Sequence, residues 1–225
     1  MNEQTAIQTQ QQTKYPVKAY FESPVVQQKF KELLGKRSTQ FVTSVLQIVS
    51  NNKLLANAEP QSIFNAAATA ATLDLPINQN LGFAYIIPYN EKQSNGSYST
   101  VAQFQMGYKG FIQLAQRSGQ FQTIAAAPVY EGQLIEENPL TGFVFDWKAK
   151  KSDIVIGYAA YFRLLNGFEK TLYMTTAQLK QHGQKFSQTF KKGFGLWKDD
   201  FDSMAQKTVI KLLLSKFAPL SVEMQ

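Results

Sequence analysis

The sequence predicts an α+β protein in which helices pack against an antiparallel β-sheet with hairpins. Residues 24–73 repeat apolar side chains at helical spacing, whereas residues 81–174 alternate β-branched and aromatic runs with polar turns. The chain has 225 residues, 44% of them hydrophobic, which is enough for a sizeable core. Because no repeat or linker interrupts residues 24–219, we expect one domain over 22–225.

The first 21 residues differ from the rest in composition. They are rich in Gln and Thr, poor in aliphatic residues and without any period. Such a segment buries too little apolar surface to offset the entropy lost on ordering. We therefore expect residues 1–21 to form a flexible arm.

Three helices are predicted in the first part of the domain. Ser23 and Pro24 form a start signal, and Gly35 a stop signal, for the first helix. The second helix begins at Ser38, and the third runs over residues 60–73.

Strands are predicted in the middle of the chain, and helices return near its end. Residues 81–89 and 100–106 have the pattern of a hairpin, and the Asn166-Gly167 pair is a strong turn signal between two later strands. The remaining predicted strands lie within 121–132, 143–148, 153–165 and 168–174, and the remaining helices over 107–117, 176–182 and 200–217.

The charge of the chain favours a polyanionic partner. Its net charge is +7, and residues 176–217 contain eight lysines but three acidic residues. The absence of cysteine excludes disulfides and thiolate metal sites and fits a reducing compartment. No apolar run has the length of a membrane span, and no signal peptide is evident. We expect a protein of the cytoplasm, with no membrane partner.

Enzymatic functions find little support in the sequence. His182 is the single histidine, and neither a nucleophile elbow nor a phosphate-binding glycine loop is present. Asp146 and Lys148 have the spacing of a magnesium-dependent nuclease motif, which leaves that activity as an alternative. Asp199, Asp200 and Asp202 lie where the last helix begins, so helix capping explains them. We expect a protein without a hydrolytic site, cofactor or metal.

Nucleic-acid binding has more support. Residues 185–202 interleave five aromatic residues with four lysines, the two residue types that hold single strands by stacking and by phosphate neutralisation. In the last helix Lys207 and Lys211 lie opposite the predicted core stripe, beside Ile210 and Leu214. We expect this apolar pair to be exposed and covered by DNA or by another subunit.

The helix over 107–117 offers a similar surface. Lys109, Gln113, Gln116 and Arg117 lie outside its apolar stripe. Amides and cations without a spacing that reads base edges favour contact with the DNA backbone, and hence binding with little sequence preference.

Three blocks of the sequence together resemble one family. Residues 73–90, 104–121 and 197–225 are similar to the characteristic blocks of RecT-type phage single-strand annealing proteins, in the same order and at similar spacing. The resemblance extends over about 22–225. It implies a core similar to that of the lambda beta protein and of the eukaryotic annealing proteins.

The resemblance also implies a function. Members of the family anneal complementary single strands without ATP in homologous recombination, and they assemble as rings or helical filaments with the DNA in a basic groove. We expect single-stranded DNA, the annealed duplex and further copies of the chain as partners, in the cytoplasm of a bacterial host. The candidate DNA contacts are Tyr108, Lys109, Gln113, Arg117, Lys191, Lys192, Trp197, Lys198, Lys207 and Lys211.

Two protein partners are implied by the resemblance as well. One is a phage 5′-to-3′ exonuclease that produces the single strands. The other is the host single-strand-binding protein, which the family contacts through an acidic C-terminal tail region. Because the sequence ends at Gln225, we expect that region to be missing here. Besides the nuclease, an oligomer with a basic surface but no DNA function stays open as an alternative.

Overall fold

The structure of the chain is a computed structural model. It describes residues 16–92, 94 and 96–219, with Gln188 described only in its backbone. The chain divides into two compact units, 1–106 and 107–225. The expectation of a single domain over 22–225 stays a prediction, whereas the predicted α+β class is confirmed.

The first unit begins with helices, and the three predicted ones are confirmed. Helix α2 begins with Pro24 at its first position and ends at Gly35, whose positive φ of 55° an L-residue rarely adopts. Two further helices were not predicted, and a 3₁₀ turn over Gly35–Arg37 joins α2 to α3. The helices are α1 (Pro16–Phe21), α2 (Pro24–Leu34), α3 (Ser38–Ser50), α4 (Lys53–Ala56) and α5 (Pro60–Thr72).

The prediction of a flexible arm is wrong for its last six residues. Pro16–Phe21 form α1, in which Val17 and Phe21 are buried. The Phe21 ring stacks on that of Phe30 at a centroid distance of 5.9 Å. This burial gives the segment the apolar contact that its composition did not suggest. Residues 1–15 of the predicted arm lie outside the described residues.

A two-stranded antiparallel hairpin completes the first unit. Strands β1 (Ala84–Lys92) and β2 (Tyr98–Met106) pair from Ala84 opposite Met106 to Lys92 opposite Tyr98. The strands therefore extend into the stretch predicted as a ten-residue loop. The hairpin packs on α5 through Ala102, whose N–H donates to the Ser62 hydroxyl at 2.8 Å.

The second unit contains a three-stranded antiparallel sheet covered by helices. Its central strand is β6, with β3 and β7 on either side, and a separate hairpin is formed by β4 and β5. The strands are β3 (Phe121–Tyr130), β4 (Leu134–Asn138), β5 (Gly142–Phe145), β6 (Val155–Leu164) and β7 (Glu169–Thr175). The helices are α6 (Tyr108–Arg117), α7 (Thr176–Phe186), α8 (Gln188–Lys191), α9 (Leu196–Asp199) and α10 (Phe201–Phe217).

Alternation along β6 separates two apolar clusters. Tyr158 and Phe162 point to the helices, where they pack with Val209 and Leu213 of α10. Ala159 points to the other face, where Phe143 and Phe145 of the β4–β5 hairpin pack. The sheet is therefore covered by helices on one face and by the hairpin on the other.

Two further predictions about chain organisation have clear outcomes. The Asn166-Gly167 turn between β6 and β7 is confirmed, with Gly167 at a φ of 88°. The helix predicted over 176–182 is correct in its start but continues to Phe186, and β4, α8 and α9 were not predicted. Within the described part of the chain, no helix combines the length and the apolar character that crossing a bilayer requires.

We predict that Gly157→Ala in β6 lowers the free energy of unfolding by about 1–3 kcal/mol, the cost of overpacking. An added Cβ would lie 2.5 Å from the Tyr173 ring and 2.6 Å from the Met174 carbonyl oxygen, which is backbone of the paired strand β7. Urea unfolding measures the change, with Ala125→Ser at an exposed position of β3 as the control. Equal midpoints for the two variants would contradict the prediction.

Candidate nucleic-acid interface

The candidate interface is built on the pair of helices α6 and α10, which pack against each other in the second unit. Ala115 of α6 is buried in the same cluster as Ala205 and Val209 of α10, with Phe111 packed at its edge. Because these apolar residues face one another and the sheet, the polar residues of both helices are confined to the remaining faces. This packing fixes the direction of each candidate side chain.

Lys207 is the most unusual residue of this surface. It is half-buried, and its Nζ lies 5.9 Å from the centroid of the Tyr108 ring. Burial, together with the nearby Lys211 ammonium, lowers the pKa of Lys207. Tyr108 offers the ammonium the negative face of its ring. The predicted contacts Tyr108, Lys207 and Lys211 are therefore brought together.

Helix α7 extends this positive surface. The His182 ring lies 4.7 Å from the Phe186 ring, centroid to centroid, and burial lowers the pKa of His182, with further contributions from Lys211 and Lys185. We call Tyr108, His182, Lys185, Lys207 and Lys211 the basic cluster. Among the residues that the structure describes, its lysines have no carboxylate within ion-pairing distance. Within the described part of the chain, the cluster is therefore a positive surface without a counter-ion.

Sequence reasoning missed His182, which it placed at the end of a short helix without a role. The signal available was the spacing of His182 and Lys185, one helical turn apart. That spacing is informative only if α7 continues to Phe186, beyond its predicted end. The proximity of His182 to Lys211 depends on the tertiary structure, so the sequence does not reveal it.

The other candidates on α6 are Lys109, Gln113 and Arg117. Lys109 follows Tyr108 directly and is exposed, and Gln113 is one turn further along the same helix. The Oε1 atom of Gln113 is buried and has no hydrogen-bond donor within the described ranges. Arg117 is exposed at the end of the helix. These positions agree with a polar face on α6, while their contact with DNA stays a prediction.

Trp197 was predicted to contact DNA, but its ring is packed inside the protein. It is 7% exposed and lies 5.6 Å from both the Phe190 and the Phe201 rings, centroid to centroid. Stacking needs an accessible ring face, and so little of Trp197 is exposed that it offers a base almost no surface. The exposed aromatic residues of this segment are instead Phe186 and Phe194.

The three lysines of the same segment are exposed. Lys191 ends α8, Lys192 lies in the following turn, and Lys198 is on the short helix α9. They lie outside the basic cluster. Their predicted continuity with Lys207 and Lys211 stays a prediction.

The prediction of an exposed apolar pair on α10 is wrong. Leu214 is 1% exposed and belongs to the core cluster, and Ile210 packs against that cluster. The helix is buried on more than one side because both α6 and the sheet pack on it. Ile210 and Leu214 are therefore not available to contact DNA or another subunit beside Lys207 and Lys211.

The acidic residues have structural roles. The Asp146 carboxylate accepts the Lys148 N–H at 2.9 Å in a turn, and within the described residues no three acidic or histidine side chains are grouped as a metal site. Asp200 caps α10 by accepting the Ser203 N–H at 3.2 Å, which confirms the capping prediction and lowers the pKa of Asp200. Asp202 accepts a hydrogen bond from the Tyr158 hydroxyl.

Comparison with known proteins identifies the family. The family model described as RecT family matches residues 39–225. The uncharacterized protein YqaK of Bacillus subtilis (strain 168) is 50% identical over 216 residues, which are 96% of this chain and 72% of YqaK. Protein RecT of Escherichia coli (strain K12) is 30% identical over 174 residues, 76% of this chain and 62% of that protein. The chain belongs to the RecT family of single-strand annealing proteins, which act in DNA recombination.

Proposed function

We propose that this chain binds single-stranded DNA through the basic cluster and anneals it to a complementary strand without ATP, acting as an assembly of several copies. Membership of the RecT family supports annealing in recombination. The observation that carries the assignment of the site is Lys207, a half-buried ammonium with a lowered pKa and no carboxylate partner among the described residues.

A phosphate would remove the unfavourable electrostatics of this cluster. Desolvating an ammonium costs free energy unless an opposite charge compensates for it, and Lys211 adds repulsion. A DNA phosphate bound between Lys207 and Lys211 supplies the missing negative charge. Because phosphates are common to all sequences, such binding is independent of base identity.

Annealing then follows from holding a strand by its backbone. Phosphates on Lys109, Lys207 and Lys211 leave base edges free to pair with a second strand. The positive charge of the cluster reduces repulsion between the two backbones. Pairing itself supplies the free energy, about 1.4 kcal/mol per base-pair step, so that no hydrolysis is needed. Lys191 and Lys192 extend the positive surface in this proposal, whereas Lys198 lines a separate pocket.

Several partners belong to the same proposal. A 5′-to-3′ exonuclease would supply the single strands, and a host single-strand-binding protein would be a further partner in a bacterial cytoplasm. The nuclease alternative has less support, because the Asp146 carboxylate is engaged by the Lys148 N–H in a turn.

We predict that the protein accelerates annealing of two complementary oligonucleotides in the absence of nucleotide. The readout is quenching of a fluorophore on one strand by a quencher on the other. A non-complementary pair is the control, and labelled single strands incubated with magnesium report any nuclease activity. Annealing at the spontaneous rate would reject the proposed function, and magnesium-dependent shortening that is lost in Asp146→Asn would favour the nuclease.

We predict that Lys207→Met weakens binding to all single-stranded sequences and reduces the slope of log K against log salt by about 0.7 per lost phosphate contact. The same change should raise the urea midpoint, because the charged form of Lys207 is disfavoured in the folded state. Lys216→Met is the matched control. Lys216 follows Lys207 by nine residues, or two and a half turns, and therefore lies on the opposite side of α10. An unchanged salt slope in Lys207→Met would remove this lysine from the DNA site.

We predict that binding of single-stranded DNA takes up a proton at His182. Burial and two lysines hold the pKa of His182 below its usual value, so a nearby phosphate would raise it. Affinity should therefore increase as the pH falls below about 6.5, by at most about tenfold per pH unit for one proton. Binding measured at two pH values tests this, with His182→Gln as the control. An identical pH dependence in both proteins would contradict it.

A further inference from the structure

The second unit contains an apolar pocket that the proposed DNA site does not use. Its volume is about 540 Å³, within the range of roughly 300–1,000 Å³ typical of ligand pockets. The pocket opens on the helix-covered face of the sheet, because Tyr158 lines it. Four further aromatic residues and two exposed lysines line most of the rest: Phe190, Phe194, Trp197, Phe201, Lys180 and Lys198. We call it the basic pocket.

The β4–β5 hairpin has complementary properties, and we call it the acidic hairpin. Leu140 at its tip is 90% exposed, and Ile135 and Val144 are also exposed. Glu136 is paired with Val144 across the two strands, so both lie on the face turned away from the sheet. Three exposed aliphatic side chains on one short hairpin, which also carries the exposed carboxylates of Glu136 and Glu137, form an unusual apolar surface.

Charge complementarity points to the partner. Residues 131–146, which include the acidic hairpin, contain four acidic residues and no Lys or Arg: Glu131, Glu136, Glu137 and Asp146. Residues 176–198, which form most of the basic pocket, contain five lysines and no acidic residue: Lys180, Lys185, Lys191, Lys192 and Lys198. The chain thus presents an acidic apolar protrusion and a basic apolar pocket.

We propose that the acidic hairpin of one copy docks into the basic pocket of a second copy. Leu140 would enter the aromatic pocket, and Glu136 would pair with Lys180 or Lys198 at its rim. The aromatic walls exclude water from the aliphatic anchor, and the ion pairs orient the hairpin.

The two surfaces lie on opposite faces of one sheet. The hairpin packs on the face of Ala159, whereas the pocket is on the face of Tyr158. The contact is therefore heterologous: each copy uses its hairpin on one neighbour and its pocket on another. Such contacts form rings or open helical assemblies rather than closed twofold dimers. This interface goes beyond the proposed function, since self-association can be measured without DNA.

Two variants, one for each surface, test the interface. Leu140→Lys removes the anchor and opposes the lysines of the pocket, and Phe194→Gln alters the pocket at a side chain that is 53% exposed. Sedimentation velocity over a concentration series, with and without a single-stranded oligonucleotide, measures the size of the assembly. We expect each variant alone to associate at least about tenfold more weakly than the unaltered chain. Leu165→Lys, an exposed position on the β6–β7 turn, is the matched control, and circular dichroism confirms folding.

Mixing the two variants gives the decisive result. The Leu140→Lys chain retains an intact pocket, and the Phe194→Gln chain retains an intact hairpin, so the mixture should form dimers that stop growing. A mixture that stays monomeric would overturn the proposal. Unchanged assembly of both variants, or an unaltered chain that is monomeric with and without the oligonucleotide, would overturn it as well. Failure of annealing with normal self-association would instead affect only the proposed function.

Discussion

The second unit depends on the burial of β6 on both faces. The helices cover Tyr158 and Phe162 on one face, and the β4–β5 hairpin covers Ala159 on the other. The Tyr158 hydroxyl also donates to Asp202 in the first turn of α10, and burial raises the pKa of Tyr158, so the hydroxyl stays protonated as a donor. This hydrogen bond and the apolar contacts together fix the rotation of α10 about its axis. That rotation determines which residues of α10 face solvent, and therefore places Lys207 beside Tyr108 rather than against the sheet.

The electrostatics of α10 agree with the proposed binding of a DNA phosphate. A protein selected only for stability would have an apolar residue or a carboxylate beside a half-buried lysine, because an unpaired desolvated charge is unfavourable. Lys207 has instead another lysine, Lys211, which lowers its pKa further. Burial and the same Lys211 also lower the pKa of His182. Local departures from the most stable arrangement concentrate at functional sites, and here two of them, at Lys207 and His182, share one surface.

The sequence predicts those features that local patterns determine, and it misses those that depend on tertiary contacts. Helices α2, α3 and α5 have a regular apolar period and local start signals, and their prediction is confirmed. Helix α1 was missed because its apolar Val17 and Phe21 follow a Gln/Thr-rich segment, and strand β4 because Glu136 and Glu137 interrupt its apolar pattern. The spacing of Lys207 and Lys211 follows from helix geometry. The burial of Leu214 does not, because it depends on elements distant in sequence. The burial of Trp197 depends on its packing with Phe190 and Phe201, across the turns on either side of α9.

The lysine-rich segment near the end of the chain separates into two surfaces in the folded unit. Phe190, Trp197 and Phe201 pack with one another, so the aromatic residues of this segment build a pocket rather than a row of platforms for bases. Lys180 and Lys198 border that pocket, whereas His182 and Lys185 accompany Lys211. Phosphates and carboxylates would compete if both bound the same lysines. Since the lysines are divided between two surfaces, the proposed DNA site and the proposed contact between copies are compatible with each other, and high salt would weaken both.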